Sequence, residues 1–339
     1  MKNLKFLTLG LLSFGLLATS CDDDESILDD VADTDVYVSS NTSGELTVID
    51  FQDFGNVTER SFTVPYTDAD GIVFKDSGDE IFQVSRSDNR IYRFNGIDEV
   101  ENGAALSPDG QSQADIFTNA RGMLRKGDDL WVVQDGSDAN NQQNRLFTFE
   151  VDGNEIRLRK SYDVSINLWG IAEQDGDLYA IVDNSNRLAV FEDFGSEPDG
   201  ALSPDFTYNI EGITRTHGIH IDDRENILLL TDIGDAGSDS DGGIHIIDNF
   251  KDRLEGARDN AAGTLLSNQQ KRIAGSSTQL GNPVDIDYDQ DREQIYVAER
   301  ANGGGKVLIF DVPETSGDAT PVASRNVAGA SSIALDFAF

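Results

Sequence analysis

The chain has almost no cysteine, little histidine and few lysines, and each scarcity removes a class of explanation. One cysteine, Cys21, in 339 residues excludes a disulfide within the chain. Three histidines, His217, His220 and His245, leave little material for an imidazole metal cluster. His217 and His220 stand three apart on an expected strand and so face opposite sides, and all three read as hydrogen-bonded histidines of a β unit. There is no Gly-rich phosphate loop, no Gly-x-Ser-x-Gly elbow and no thiol nucleophile after Cys21. Bases are scarce too: 8 Lys and 18 Arg stand against 45 Asp and 17 Glu, for a net charge of -36. That balance excludes nucleic acid as a partner, because a phosphate backbone would be repelled. It equally disfavours docking of the protein surface on an anionic membrane. An Asp-rich, Lys-poor surface stays hydrated where salt screens its self-repulsion. The longest apolar run, Phe6 to Ala18, is too short to span a bilayer as a permanent helix.

What is present in abundance is repetition. Strand-opening positions recur at Gly71, Gly122, Gly170, Gly218, Asp285 and Ser332, at intervals of 51, 48, 48, 67 and 47 residues. Each opens a run of short strands separated by Gly/Asp/Asn turns, as in Ile72-Val73-Phe74, Ile81-Phe82-Gln83-Val84 and Ile91-Tyr92-Arg93-Phe94. Ala114-Asp115-Ile116-Phe117 is the expected outer strand of that unit, and a short helix is expected around Leu254 to Asn260 within the long interval. A period near fifty with four strands per unit predicts an all-β, six-bladed β-propeller over residues 35–339. Its last blade takes its inner strand from the C-terminus (Ser332 to Leu335). The other strands of that blade come from the N-terminus (Val36 to Val38 and Leu46 to Ile49), so the ring closes on itself.

Asn282 to Asp289, Gln294 to Glu299 and Lys306 to Asp311 together resemble the NHL-type propeller repeat, as does Ile247 to Phe250 leading to Lys271 to Gly275. The resemblance implies a fold and leaves function open, because propellers carry enzymes, binders and scaffolds alike. At the other end, Lys2 and Lys5, the apolar run and Ala18-Thr19-Ser20-Cys21 resemble the signal peptide and lipobox of bacterial lipoproteins. That implies cleavage after residue 20, a lipid anchor on Cys21 and outer-membrane attachment. The run Asp22-Asp23-Asp24-Glu25 resembles the surface-export signal of Bacteroidota lipoproteins, with a solvated spacer as the alternative, so the cell surface and the periplasmic face both stay open. Residues 21–34 read as an acidic flexible tether.

In such a ring the residue before each strand-opening position stands at one mouth of the central channel. Here these are Asp70, Arg121, Trp169, His217, Val284 and Ser331. Asp70, Arg121, Trp169, His217 and Ser331 form a candidate binding site for a small polar or carbohydrate ligand, with Arg for an anion and Trp for stacking on a flat face. The gluconolactonase family, a six-bladed relative in architecture, places metal-binding Glu, Asn and Asp at these positions. This chain matches only at Asp70, which makes a metal-assisted hydrolase or lactonase the alternative to a non-catalytic binding or interaction scaffold. The loop 232–243 resembles part of an EF-hand, and Asp232, Asp235, Asp239 and Asp241 are its candidate calcium ligands. The repeated Asp76, Asp222 and Asp289 read as turn residues that accept backbone N–H bonds. No catalytic residue and no other cofactor is assigned.

Overall fold

Strands of five to seven residues, apolar on both faces, dominate the chain because each is covered on both sides. Glu80–Ser85, Ile227–Asp232 and Gln294–Glu299 are buried along their whole length. The computed structural model describes residues 34–53, 56–75, 79–259 and 263–337. The expected signal peptide, Cys21, most of the tether and Asp76 lie outside these residues. Among the described residues, no helix is long and apolar enough to cross a membrane.

The strands pair into successive antiparallel meanders. Ala69–Lys75, Glu80–Ser85 and Arg90–Asn95 begin the first, and its outer strand is Gly110–Ser112. The second, Ala120–Lys126 to Glu155–Val164, is joined to the first by parallel pairing of Gln111 and Ser112 with Glu155 and Ile156. Similar groups start at Leu168–Gln174, Ile219–Asp222 and Pro283–Asp289. The remaining group unites the two ends of the described chain. Ala330–Phe337 pairs with Thr34–Ser40, Val36 opposite Leu335 and Val38 opposite Ile333, and Leu46–Asp53 and Asn56–Phe62 follow outward. The expected closure by the C-terminal strand is therefore present as a hydrogen-bonded ladder.

The strand-opening glycines have a shared physical cause. A Cβ at Gly71 would stand 2.8 Å from the Arg121 carbonyl, one at Gly122 2.7 Å from that of Trp169, and one at Gly170 2.4 Å from that of His217. Each inner strand thus touches the next through bare backbone. Asp285, which stands where the glycine is expected, bridges by its side chain instead: its carboxylate accepts from the Ser332 hydroxyl (2.5 Å) and the Ile333 N–H (3.0 Å). Ser332 Oγ in turn accepts from the Ile72 N–H (3.3 Å), so the circuit of inner strands returns to its start.

Two elements differ from expectation. Residues 114–117 form a turn rather than the outer strand; Asp115 has φ 61°, and Phe117 is buried against Phe147 and Phe149. Its apolar ring is worth more in the core than in an edge ladder, and Gly110–Ser112 takes the edge instead. The helix spans Phe250–Asp259, starting four residues earlier than expected, with Phe250, Leu254 and Ala257 on its buried face. Of the expected turn residues, Asp222 accepts from the Glu225 N–H and Asp289 from those of Asp291 and Arg292.

The closing ladder carries a charge conflict. Asp35 lies directly opposite Asp50 on one side and Asp336 on the other. Burial, then the negative charges of Asp50, Asp98 and Asp336, push its pKa from 3.8 up to about 7. A raised folded-state pKa means that the folded chain holds more protons than the unfolded one between about pH 4 and 7. Stability from this group is therefore complete below pH 4 and is lost as pH rises through 7. The melting temperature is expected to fall from pH 5 to pH 8, and Asp35→Asn to flatten that slope. An unchanged slope in Asp35→Asn, read by calorimetry at several pH values, would show that the ladder does not carry the conflict.

Candidate functional site

The inner strands bring the expected mouth residues together. Asp70, Arg121, Trp169, His217, Val284 and Ser331 all line one cavity of about 230 Å³. A second tier stands beside them, from a position the sequence reading passed over: the residue that follows the second strand of each meander. These are Asn41, Arg86, Asp135, Asp183, Ile233 and Arg300. In every case its backbone N–H donates to the carbonyl two residues before the mouth residue. Arg86 bonds to Asp68, Asp135 to Asn119, Asp183 to Asn167, Ile233 to Arg215, Arg300 to Asn282 and Asn41 to Gly329, at 2.8 to 3.2 Å. The repeat thus fixes both tiers through one backbone bond per unit. Asn41, Arg86, Ile233 and Arg300 line the cavity directly, with Arg215 and Asn282 from the intervening loops.

The electrostatics follow from burial. Asp70 sits between two guanidinium groups, Arg121 at 3.6 Å and Arg86 at 3.8 Å. Burial nevertheless prevails over those cations and raises its pKa. Arg121 also faces Asp135 at 3.6 Å, whose pKa burial likewise raises. Burial lowers the pKa of Arg121, against the pull of Asp70. The Arg121 guanidinium lies 4.0 Å over the Trp169 ring, and the His217 imidazole stacks on the same indole at 3.6 Å and 3°. His217 Nε2 is 3.1 Å from Asp183 Oδ1, the same oxygen that Arg215 approaches with Nε at 3.0 Å and a terminal guanidinium nitrogen at 2.9 Å. Burial pushes the His217 pKa down to about 4, against the Asp183 carboxylate. Burial also works to raise the pKa of Asp183, but the His217 hydrogen bond and the Arg215 charge outweigh it and hold the carboxyl below its usual range. The imidazole is therefore neutral at pH 7, with Nε2–H donating to an ionised Asp183.

The structure assigns different uses to three expected ligand groups. With Arg121 and His217 stacked on it, the Trp169 indole has no face left for a sugar ring. The Ser331 hydroxyl is 2.9 Å from the Ala69 carbonyl and 3.1 Å from that of Ser39, and so serves the backbone. Asp232 is buried and accepts from the N–H groups of Thr214, Arg215 and Gly234 and from Arg272. Asp235 and Asp241 cap N–H groups within their own loop, at Gly237 and Asp235. The backbone of Asp239 packs on Gly281, where a Cβ would come within 2.3 Å. Among the described residues, these four carboxylates do not converge, and no three His, Cys, Asp or Glu groups are gathered in metal-binding fashion. The three histidines have separate partners: His217 has Asp183, His220 has Asp287, and His245 has Gln270 and Arg272. Nor does the cavity fit a divalent cation, because cationic groups flank its lining carboxylate, Asp70.

No family model matches the chain, and no curated protein does. Solved structures do. A chain of a nidogen/laminin complex aligns with TM-score 0.61 and 12% identity over 90% of this chain and 98% of its own. Two proteins described as putative 6-phosphogluconolactonases also align, both at 12% identity. The one from Bacteroides fragilis has TM-score 0.58 over 91% of this chain and 99% of its own. The one from Bacteroides uniformis has TM-score 0.57 over 90% and 100%. At this identity the likenesses show the fold: the chain is a β-propeller.

Proposed function

We propose that the protein is a six-bladed, NHL-like β-propeller, lipid-anchored at Cys21 in the outer membrane, that binds a small polar ligand in its central cavity without transforming it. The observation that carries the reading is the convergence of all six mouth residues on one cavity with buried polar atoms left over. Among the described residues, His217 Nδ1, Asn282 Oδ1 and Arg121 Nε find no hydrogen-bond partner, though His217 and Asn282 are each only 4% exposed. Buried polar groups are normally satisfied, so leftover ones beside a cavity favour a bound molecule. Calorimetric titration with a panel of small sugars and acids tests it: one compound binds with unit stoichiometry, and Trp169→Ala, which removes the platform under Arg121 and His217, abolishes the heat. Binding that survives Trp169→Ala places the ligand elsewhere.

The anchor rests on the lipobox-like sequence alone. Cys21→Ala is expected to release the protein from the membrane fraction and to end its labelling by a fatty-acid analogue; an unlabelled wild type refutes the anchor.

The likeness to two proteins described as putative 6-phosphogluconolactonases favours a second reading, hydrolysis of a lactone in the same cavity. The neutral His217 imidazole is a lining group able to take a proton from water there. Turnover of a sugar lactone that His217→Asn eliminates would establish this reading in place of the first.

A further inference from the structure

Resting on the binding reading above, we infer that the cavity takes a small oxyanion that also carries a hydroxyl group, in the class of a hydroxylated carboxylate no larger than one sugar ring. Four guanidinium groups, Arg86, Arg121, Arg215 and Arg300, line the space together with Asp70. Arg86 faces Asp68 and Asp70 at 3.6 and 3.8 Å, Arg121 faces Asp70 and Asp135 at 3.6 Å, and Arg215 is paired with Asp183 at 2.9 Å. In a chain of net charge -36, four arginines at one cavity are a local departure from the overall composition.

The arginines are underused. Arg121 has only 12% of its side chain exposed, yet its two ion pairs are both 3.6 Å long, beyond hydrogen-bond distance. Its Nε is without a partner among the described residues, as is that of Arg86. Stacking on Trp169 fixes the plane of the Arg121 guanidinium, whose terminal nitrogens face Asp70 and Asp135 at 3.6 Å without hydrogen-bonding them, so its N–H donors remain open to the oxygens of a planar anion. Arg215, by contrast, is spent on Asp183. Arg300 lines the same cavity and has no side-chain partner among the described residues.

A bare anion would answer only half of this lining. With Nε2–H committed to Asp183, His217 presents Nδ1 as an acceptor with nothing to accept. Asn282 adds a buried amide whose oxygen is likewise unpartnered among the described residues. These groups call for a donor on the ligand, which a hydroxyl provides and acetate does not provide beside its charge. A neutral sugar would satisfy His217 and leave the arginines unmet. Volume sets the size limit: about 230 Å³ leaves no room for a peptide segment or a second sugar ring.

The test is calorimetric titration of the full-length protein with four probes: D-glucuronate, D-glucose, acetate and inorganic phosphate. Glucuronate is expected to bind about tenfold or more tightly than each of the others, and to weaken as salt is raised, since hydrogen bonds to charged groups carry the difference. Arg300→Gln, at an exposed residue whose loss does not strain the fold, is expected to weaken glucuronate about tenfold and leave glucose unchanged. Glucose binding as tightly as glucuronate overturns the anionic class while leaving a polar-ligand site in place. Acetate binding as tightly as glucuronate overturns the hydroxyl requirement, and phosphate, which carries its own P–OH donor, binding as tightly overturns the carboxylate class. Absence of binding by all four overturns both this inference and the reading on which it rests.

Discussion

A chain ending at residue 330 will not fold cooperatively. The deleted segment supplies all but the first residue of the strand Ala330–Phe337, which pairs along its length with Thr34–Ser40 and lies against Ala69–Lys75 and Pro283–Asp289. Ile333 and Leu335 leave one hydrophobic cluster and Ala334 another. The Ser332 and Ile333 bonds to Asp285, and the Leu335 bond to Asp287, go with them. The larger consequence is topological. Two inner strands lose a neighbour, the circuit opens, and the apolar faces on either side of the gap meet water. A domain's whole stability is about 5–15 kcal/mol, and losing a central strand of such a ring exceeds what that margin tolerates. Circular dichroism during heating is expected to show a broad, low transition or none. A truncated chain that melts as sharply as the full one would mean that the ladder between the chain ends is dispensable.

Glu299→Ala is expected to cost about 3–5 kcal/mol, the range for stripping a partner from a buried charged network. Glu299 is fully buried, and its carboxylate accepts from the N–H groups of Gly281, Asn282, Ala301 and Asn302 at 2.8 to 2.9 Å. Removing it orphans four donors at once in a site water does not reach. Glu299→Gln keeps one acceptor oxygen and sets an NH₂ against the other donors, so it should fall between the two. The same residue holds Asn282 and Arg300 at the cavity, so ligand binding declines along with stability. Chemical denaturation checks the magnitude, and a loss below about 1 kcal/mol would contradict the role given to the carboxylate.

Glu299 also shows a device that the sequence conceals. The last residue of the second strand reaches back to N–H groups of the loop before its own inner strand: Gln134 to Thr118, Asp232 to Thr214 and Arg215, Glu299 to Gly281 and Asn282. Three different residue types perform one task, so no repeated letter marks it. In the sequence Asp232 reads as one of four loop carboxylates, and only its burial shows that it faces the backbone.

The ring itself was legible because its signals repeat: a glycine required by backbone contact, buried apolar strands, and a last unit divided between the chain ends. The mouth residues were legible by position, one before each strand opening. Their relations were not, since the stacking of Arg121 and His217 on Trp169 depends on neighbouring blades some fifty residues apart in sequence. The second tier is concealed in the sequence because its six positions, Asn41, Arg86, Asp135, Asp183, Ile233 and Arg300, share no single residue type and are equivalent only in following a second strand. The outer strand at 114–117 was misplaced because an apolar pair, Ile116 and Phe117, looks like a short strand when its neighbours in space are unknown.

The central claim is that the arginine-lined cavity at the ring's axis is the binding site. A crystal structure of the full-length protein with D-glucuronate tests it most directly. The account predicts the carboxylate against Arg121 and Arg300 and a hydroxyl within hydrogen-bond distance of His217 Nδ1. Glucuronate bound on the outer rim of the ring, with the cavity holding only water, would contradict it.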